Sequence, residues 1–266
     1  MGDPSKLSAL IALGSNLGDK QRTLDLACEQ IAAIAEIRGF RASSWLKTQP
    51  IGGPSNQDVF LNGAATFTTS LTPLELFRFL KDTEQQLGRQ DKERWGPRLI
   101  DIDLLLYSDE ILEDSANDLL VPHPRMAFRR FVLAPAAEVA PSMRHPVIGW
   151  SISQLLDHLD DSLPAIAFAL GDPNRANRLA ADVAGQTGAR RLSSDQWQDA
   201  PWADPLIACV LYDGEAVSHV DSQIPRLLVV SRQSPQMPRC PFLEVGELSH
   251  AQAVTEIAAA IAAMRQ

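Results

Sequence analysis

Only three cysteines occur in 266 residues, Cys28, Cys209 and Cys240, and they form no CxxC or Cys/His metal spacing. That argues against a disulfide framework and a thiolate zinc site. The three read as the reduced thiols of a cytoplasmic protein. No apolar run approaches the roughly 18 residues of a membrane span, so no membrane partner is expected. The opening Met1-Gly2-Asp3-Pro4-Ser5-Lys6 has no basic patch followed by an apolar stretch, so no secretory signal is expected either. Positive charge is scarce: 24 Lys and Arg against 33 Asp and Glu leave a formal net charge of −9. A broad basic face for nucleic acid is therefore not expected, although a local basic pocket for a nucleotide remains open. No GxxxxGK[ST] string occurs, so any ATP chemistry would proceed without a P-loop. Internal repeats and low-complexity tracts are absent as well.

What is present is ordinary for a globular chain, with 45% hydrophobic and 21% charged residues, enough for one large or two small domains. All five lysines lie before residue 93, and the rest of the chain uses only arginine. The segment 157–164 is polar and ends in Pro164, as a linker might. These signals divide the chain into a domain of residues 1–160 and a domain of residues 161–266.

In the first part, Leu7–Leu13 reads as a strand running into a turn at Gly14-Ser15-Asn16. Residues 20–37 carry a helical stripe through Leu24, Ala27, Cys28, Ile31 and Ile34. Residues 40–47, 59–69 and 100–107 read as strands. Thr72 precedes Pro73 and stands three residues before Glu75, which places a capped helix between Thr72 and Gly88. The order strand, helix, strand, strand, helix, strand is the ferredoxin-like plan of a three-layer α+β domain. The second part offers strands at 165–170, 206–212, 226–231 and 242–245 and helices at 174–186 and 249–264. That is a small α/β layer domain with a partly parallel sheet.

The sharpest feature is Arg94-Trp95-Gly96-Pro97-Arg98-Leu99-Ile100-Asp101-Ile102-Asp103-Leu104-Leu105-Leu106. Alternation along a strand turns Ile100, Ile102, Leu104 and Leu106 one way and both aspartates the other. Two like charges on one strand face repel, and aspartate is a poor strand former, so an offsetting partner is expected. Two carboxylates about 6–7 Å apart suit a pair of Mg²⁺ ions with phosphate oxygens. Arg89, Arg94 and Arg98 cluster beside Trp95, and guanidinium groups suit phosphate. The alternative is a solvated strand face with surface arginines. His123, within Val121-Pro122-His123-Pro124-Arg125, is either a structural turn histidine or a group that steadies a phosphate or leaving group. Gly14-Ser15-Asn16 reads as a tight turn.

Together with Thr48-Gln49-Pro50-Ile51-Gly52, Phe60-Leu61-Asn62, Glu84, Gly88-Arg89, and Pro122-His123 through Arg129 and Phe131, these motifs resemble the 6-hydroxymethyl-7,8-dihydropterin pyrophosphokinase family over residues 7–158. The string RWGPRxIDxD is the most specific of them. The resemblance implies Mg²⁺-dependent transfer of pyrophosphate from ATP to the pterin hydroxymethyl group, with AMP released, in folate biosynthesis. It implies that Asp101 and Asp103 hold two Mg²⁺ ions. Thr48, Pro50, Ile51, Phe60, Asn62, Trp95 and Phe131 would bind the pterin. Lys81, Glu84, Arg89, Ile102, His123 and Arg129 would lie on the ATP side. Arg89, Arg98, His123 and Arg129 would join the two aspartates in catalysis, and Trp95 and Arg98 would ride a closing loop.

Three positions depart from the family pattern. Asp91 stands where a second arginine is usual, Lys81 where glutamine is common, and Pro124 follows His123. In residues 161–266, Gly171-Asp172-Pro173-Asn174-Arg175 joins a strand to a helix but lacks P-loop glycine and lysine. That domain reads as a degenerate nucleotide-binding-like fold serving dimerisation or docking, so monomer and homodimer both remain open. Readings that compete are a weak pterin- or nucleotide-binding protein for the whole chain, and a second enzymatic activity for the C-terminal domain.

Overall fold

The computed structural model describes residues 7–51, 57–88, 99–161, 165–193, 208–211, 225–232 and 239–265. The chain forms two compact units, Met1–Leu156 and Asp157–Arg265. Both mix helix and sheet.

The first unit runs β1 (Leu7–Ser15), α1 (Lys20–Ala33), β2 (Ile37–Ala42), β3 (Leu46–Thr48), β4 (Phe60–Thr69), α2 (Pro73–Gln86) and β5 (Asp101–Tyr107). A hairpin of β6 (Leu112–Asp114) and β7 (Leu119–Val121), a 3-10 turn at Met126–Phe128 and α3 (Arg130–Val139) follow. The sheet order is β2-β4-β1-β5, antiparallel at every described pairing, with β3 also beside β4. α1 and α2 cover one face, burying Leu24, Ile31, Leu76 and Leu80 against Ile11, Leu13 and Ile102. α3 packs on the opposite face over β4 and β1.

Local chemistry explains the helix starts. Asp19 caps α1 by accepting from the Arg22 N–H. Thr72 and Glu75 form a reciprocal capping box at α2, with Pro73 in the first turn. Several boundaries differ from the expectations. α1 stops at Ala33, because Ile34 turns extended and Ile37 enters the sheet opposite Thr69. The strand expected over 40–47 is two strands. The break lies where Ser43 bonds both backbone groups of Ala64 and the Trp45 ring closes over Gly63. A Cβ on Gly63 would fall 2.3 Å from that indole, so only glycine fits there. Gly14 and Ser15, expected in a turn, still belong to β1.

β5 departs in a way that matters for the site. Leu10 pairs with Leu106 but Ile11 pairs with Leu104, so Leu105 is an extra residue in a bulge. Ile102 and Leu104 therefore face the α1/α2 layer, and Leu106 is turned to the other face rather than sharing theirs. The Leu105 carbonyl accepts the His123 N–H at 2.9 Å.

The segment expected as a linker is helical as far as Asp161. α4 (Ile152–Asp161) buries Ile152, Leu155 and Leu159, a spacing that fits one helical face. Beyond it come β8 (Ala165–Ala169), α5 (Pro173–Thr187), β9 (Arg190–Ser193), β10 (Ala208–Leu211), β11 (Leu227–Val230), β12 (Phe242–Glu244) and α6 (His250–Arg265). The sheet order is β12-β11-β8-β10-β9, and every pairing is parallel. β9, four residues carrying Arg190 and Arg191, was not expected. Asp172 caps α5 and Gly188 ends it at φ 71°. α5 and α6 pack against each other. Arg175 donates to the carbonyls of Val245, Gly246 and Leu248, and Ser231 Oγ donates to Leu170 O, so the ends of β8, β11 and β12 are tied together.

Candidate active site

α3 leaves one end of its sheet face uncovered, and a cavity of about 380 Å³ opens there. Its floor follows from strand register. One row across three strands reads Asn62, Gly14, Asp101, and the next reads Ala64, Ala12, Asp103. Residues opposite one another share a face. An amide therefore stands on one side of a channel and two carboxylates on the other, separated by the two smallest side chains. A Cβ on Gly14 would lie 3.1 Å from Asn62 Oδ1, so the missing side chain gives the amide its room. Asn62 Nδ2 donates to Thr48 Oγ1 at 2.8 Å, which leaves the amide oxygen directed by a fixed partner. Phe60, Ile51, Gln49 and Gln57 continue the wall on this side, and Phe131 and Val132 of α3 complete it.

The carboxylate side is built from β5 and the segment after β7. Ile102 is fully buried while Asp101 and Asp103 are half-exposed and line the cavity. His123 Nε2 lies 3.9 Å from Asp103 Oδ2. Its Nδ1 accepts the Arg125 N–H at 3.1 Å, which assigns the ring proton to Nε2. Burial drives the His123 pKa down to about 4, against the pull of Asp103 and with help from Arg129 and Arg125. At neutral pH the imidazole is thus uncharged and presents an N–H toward the cavity. The Arg129 guanidinium sits 5.7 Å above the Phe131 ring centre. Arg129 and Arg125 also line the cavity and bring positive charge to its carboxylate end.

The sequence-derived residues separate into three groups. Thr48, Ile51, Phe60, Asn62, Asp101, Asp103, His123, Arg129 and Phe131 line the one cavity. Pro50, Lys81, Glu84 and Ile102 do not; the last three interlock at the outer edge of β5. Arg89, Trp95 and Arg98 lie outside the described residues. Gln57, Asp118 and Val132 line the cavity without having been singled out. Loops and the short hairpin deliver the first two, and no local motif marks them. Val132 follows Phe131 directly, but a helix at 130–139 was not expected.

The donor set suits Mg²⁺. Two carboxylates at i and i+2 offer hard oxygens to one cavity, and Mg²⁺ is commonly held by one or two carboxylates with phosphate oxygens supplying the rest. Among the described residues no group of three or more His, Cys, Asp or Glu gathers as a closed metal cage.

The model of the 7,8-dihydro-6-hydroxymethylpterin-pyrophosphokinase (HPPK) family matches residues 10–141. A 2-amino-4-hydroxy-6-hydroxymethyldihydropteridine pyrophosphokinase of Synechocystis is 41% identical over 57% of this chain and 76% of its own length. The protein of the same description from Bacillus subtilis is 44% identical over 49% of this chain and 77% of its own. This chain belongs to the HPPK family. The family match encloses the whole cavity wall, from Ala12 to Val132. A Methylorubrum extorquens relative, also a 2-amino-4-hydroxy-6-hydroxymethyldihydropteridine pyrophosphokinase, is 41% identical over 58% of this chain and 94% of its own. Among solved structures, an HPPK-DHPS crystal structure in complex with substrates aligns at TM-score 0.44 and 12% identity, over 66% of this chain and 56% of that one. That likeness is too slight to carry an argument.

Proposed function

We propose that this chain transfers a pyrophosphoryl group from ATP to the hydroxymethyl oxygen of 6-hydroxymethyl-7,8-dihydropterin, releasing AMP, as a step of folate biosynthesis. The observation that carries the reading is one cavity with an amide and aromatic walls at one side and paired carboxylates at the other. The first side suits a flat hydrogen-bonding heterocycle. Phe60 and Phe131 offer ring faces, and Asn62 offers donor and acceptor together, steadied by Thr48. Ile51 borders this side, and Pro50 and Trp95 are assigned to it through the family pattern.

On the second side, Asp101 and Asp103 are the residues that would hold Mg²⁺, with two ions expected alongside ATP. Bound Mg²⁺ would supply neutralisation of the phosphate charge. The hydroxymethyl oxygen attacks the β-phosphorus of ATP, and the bond between that phosphorus and the oxygen bridging to the α-phosphate breaks. AMP leaves with that oxygen, and the hydroxyl proton passes to solvent. His123, neutral and protonated at Nε2, donates to a phosphate oxygen without adding charge. Arg129 meets phosphate, as do Arg89 and Arg98. Positioning and charge compensation carry phosphoryl transfer, so no strong general base is required. Asp91, in place of a second arginine, leaves one phosphate contact of the family pattern absent or replaced.

The strand order β2-β4-β1-β5 with antiparallel pairing supports a ferredoxin-like α+β plan for the first domain. We assign residues 1–160 to the pyrophosphokinase domain and residues 161–266 to an accessory α/β domain for docking or dimerisation, in a cytoplasmic enzyme. The test is product analysis: ATP, Mg²⁺ and the hydroxymethyl dihydropterin give the pterin diphosphate and AMP in equal amounts. Formation of ADP instead would overturn the assignment.

A further inference from the structure

Among the described residues β5 ends the sheet path, and no described strand lies beyond it to satisfy its outward peptide groups. At Ile102, both outward groups are satisfied by side chains of α2. Glu84 Oε1 accepts the Ile102 N–H, and Lys81 Nζ donates to Ile102 O at 2.8 Å. The two side chains also bond to each other, Lys81 Nζ to Glu84 Oε1 at 3.0 Å. Residues at i and i+3 share a helix face, so both arms reach the same peptide. The Glu84 side chain is 1% exposed, while that of Lys81 is 28% exposed. The Lys81 ammonium stands 5.5 Å from the Phe77 ring centre and 3.9 Å from Asp103 Oδ1.

We propose that Lys81 and Glu84 are positioning residues that clamp the Ile102 peptide from outside the sheet and so fix the aim of Asp101 and Asp103, which flank it. The proposal rests on the pyrophosphokinase reading for its catalytic consequence, but not for the clamp itself. An edge strand can twist or slip, and the pair takes the place of a further strand, of which the described residues offer none beside β5. Two carboxylates on one strand face repel, so their spacing benefits from being held at the residue between them. This gives Lys81 and Glu84 a different task from direct contact with ATP: Lys81 Nζ and Glu84 Oε1 meet at the Ile102 peptide and bond to each other.

The experiment compares full-length wild type with Glu84→Leu and Glu84→Gln. Leucine fills the buried site and removes the acceptor, whereas glutamine keeps an oxygen for the Ile102 N–H. Amide hydrogen exchange at Ile102, read without ATP or metal, becomes at least about tenfold faster in Glu84→Leu and stays near wild type in Glu84→Gln. The kcat for AMP formation falls at least about tenfold in Glu84→Leu and recovers to within about threefold in Glu84→Gln, with KM for ATP within about twofold throughout. Unchanged exchange at Ile102 would overturn the clamp. Retained kcat with a raised KM for ATP would overturn the positioning role and point to direct nucleotide contact. Should exchange quicken across β1 and β4 alike, Glu84→Leu has misfolded. Lys81→Met then decides on the same kcat and KM criteria. If the wild type itself forms no AMP, the pyrophosphokinase reading fails, and the exchange arm still judges the clamp.

Discussion

Asn62 and the histidines His123 and His145 are where single side chains carry the most chemistry. Asn62 is 8% exposed, and its amide has Thr48 on one side and the open cavity on the other. Replacing it with alanine removes the group proposed to read the pterin edge. Asn62→Ala is expected to raise KM for the pterin about 10- to 100-fold with little change in KM for ATP, measured by steady-state AMP formation. An unchanged pterin KM would place the heterocycle elsewhere. His145 makes a stability prediction instead. Burial pushes its pKa from the ordinary 6.5 down to about 4, so the folded state disfavours its protonation. Between those values the unfolded chain binds the proton and the folded chain does not, so stability rises with pH across this window and falls on acidification. For this residue alone, moving from pH 7 to pH 5 costs about 2 kcal/mol. His145→Gln should therefore flatten the dependence of denaturant midpoint on pH between 5 and 7. An identical slope in the variant would contradict the assignment. His123 is shifted in the same direction and adds to the wild-type slope.

Secondary elements test packing, and Gly246 is a sharp case. A Cβ there would fall 2.1 Å from the Ser231 carbonyl oxygen, a backbone atom that cannot swing aside. Gly246→Ala is expected to cost about 2–3 kcal/mol, read as a lowered midpoint for the second unit's unfolding transition. A neutral effect would mean that the ends of β11 and β12 are not closely packed. The elements also show where local sequence was informative. Thr72, Pro73 and Glu75 announce α2 because a cap is local chemistry, and the alternation of Ile102 between two aspartates announces the faces of β5. The bulge at Leu105 was not legible, since Leu104-Leu105-Leu106 is apolar whichever side each residue faces. β2 and β3 read as one strand because the break depends on Ser43 meeting Ala64, twenty-one residues away. The same limit applies to the site. Asp101 and Asp103 mark themselves, but Gln57 and Asp118 reach the cavity only through the folded loops. Lys81 and Glu84 sit at a readable helical spacing, yet their partner is a peptide group, which carries no residue signature.

At the scale of the whole chain, the cavity wall, the family match and the buried core around β1, α1 and α2 all lie before residue 142. The second unit has its own parallel sheet and its own buried strands. A chain ended at Asp160 is expected to keep folding cooperatively and to retain pyrophosphokinase activity within about threefold, because the cavity wall lies within the first unit. Loss of activity in a well-folded truncation would make the second domain part of the catalytic unit. In the proposed function one cavity binds both substrates, with Asp101 and Asp103 holding the phosphate end. The most direct measurement is AMP release from ATP and Mg²⁺, with and without 6-hydroxymethyl-7,8-dihydropterin, for wild type and Asp103→Ala. Pterin-dependent AMP release is expected in the wild type, with a loss of at least about a hundredfold in the variant, as when a transition-state charge contact is removed. Equal rates in the two proteins, or no AMP from well-folded wild type, would contradict it.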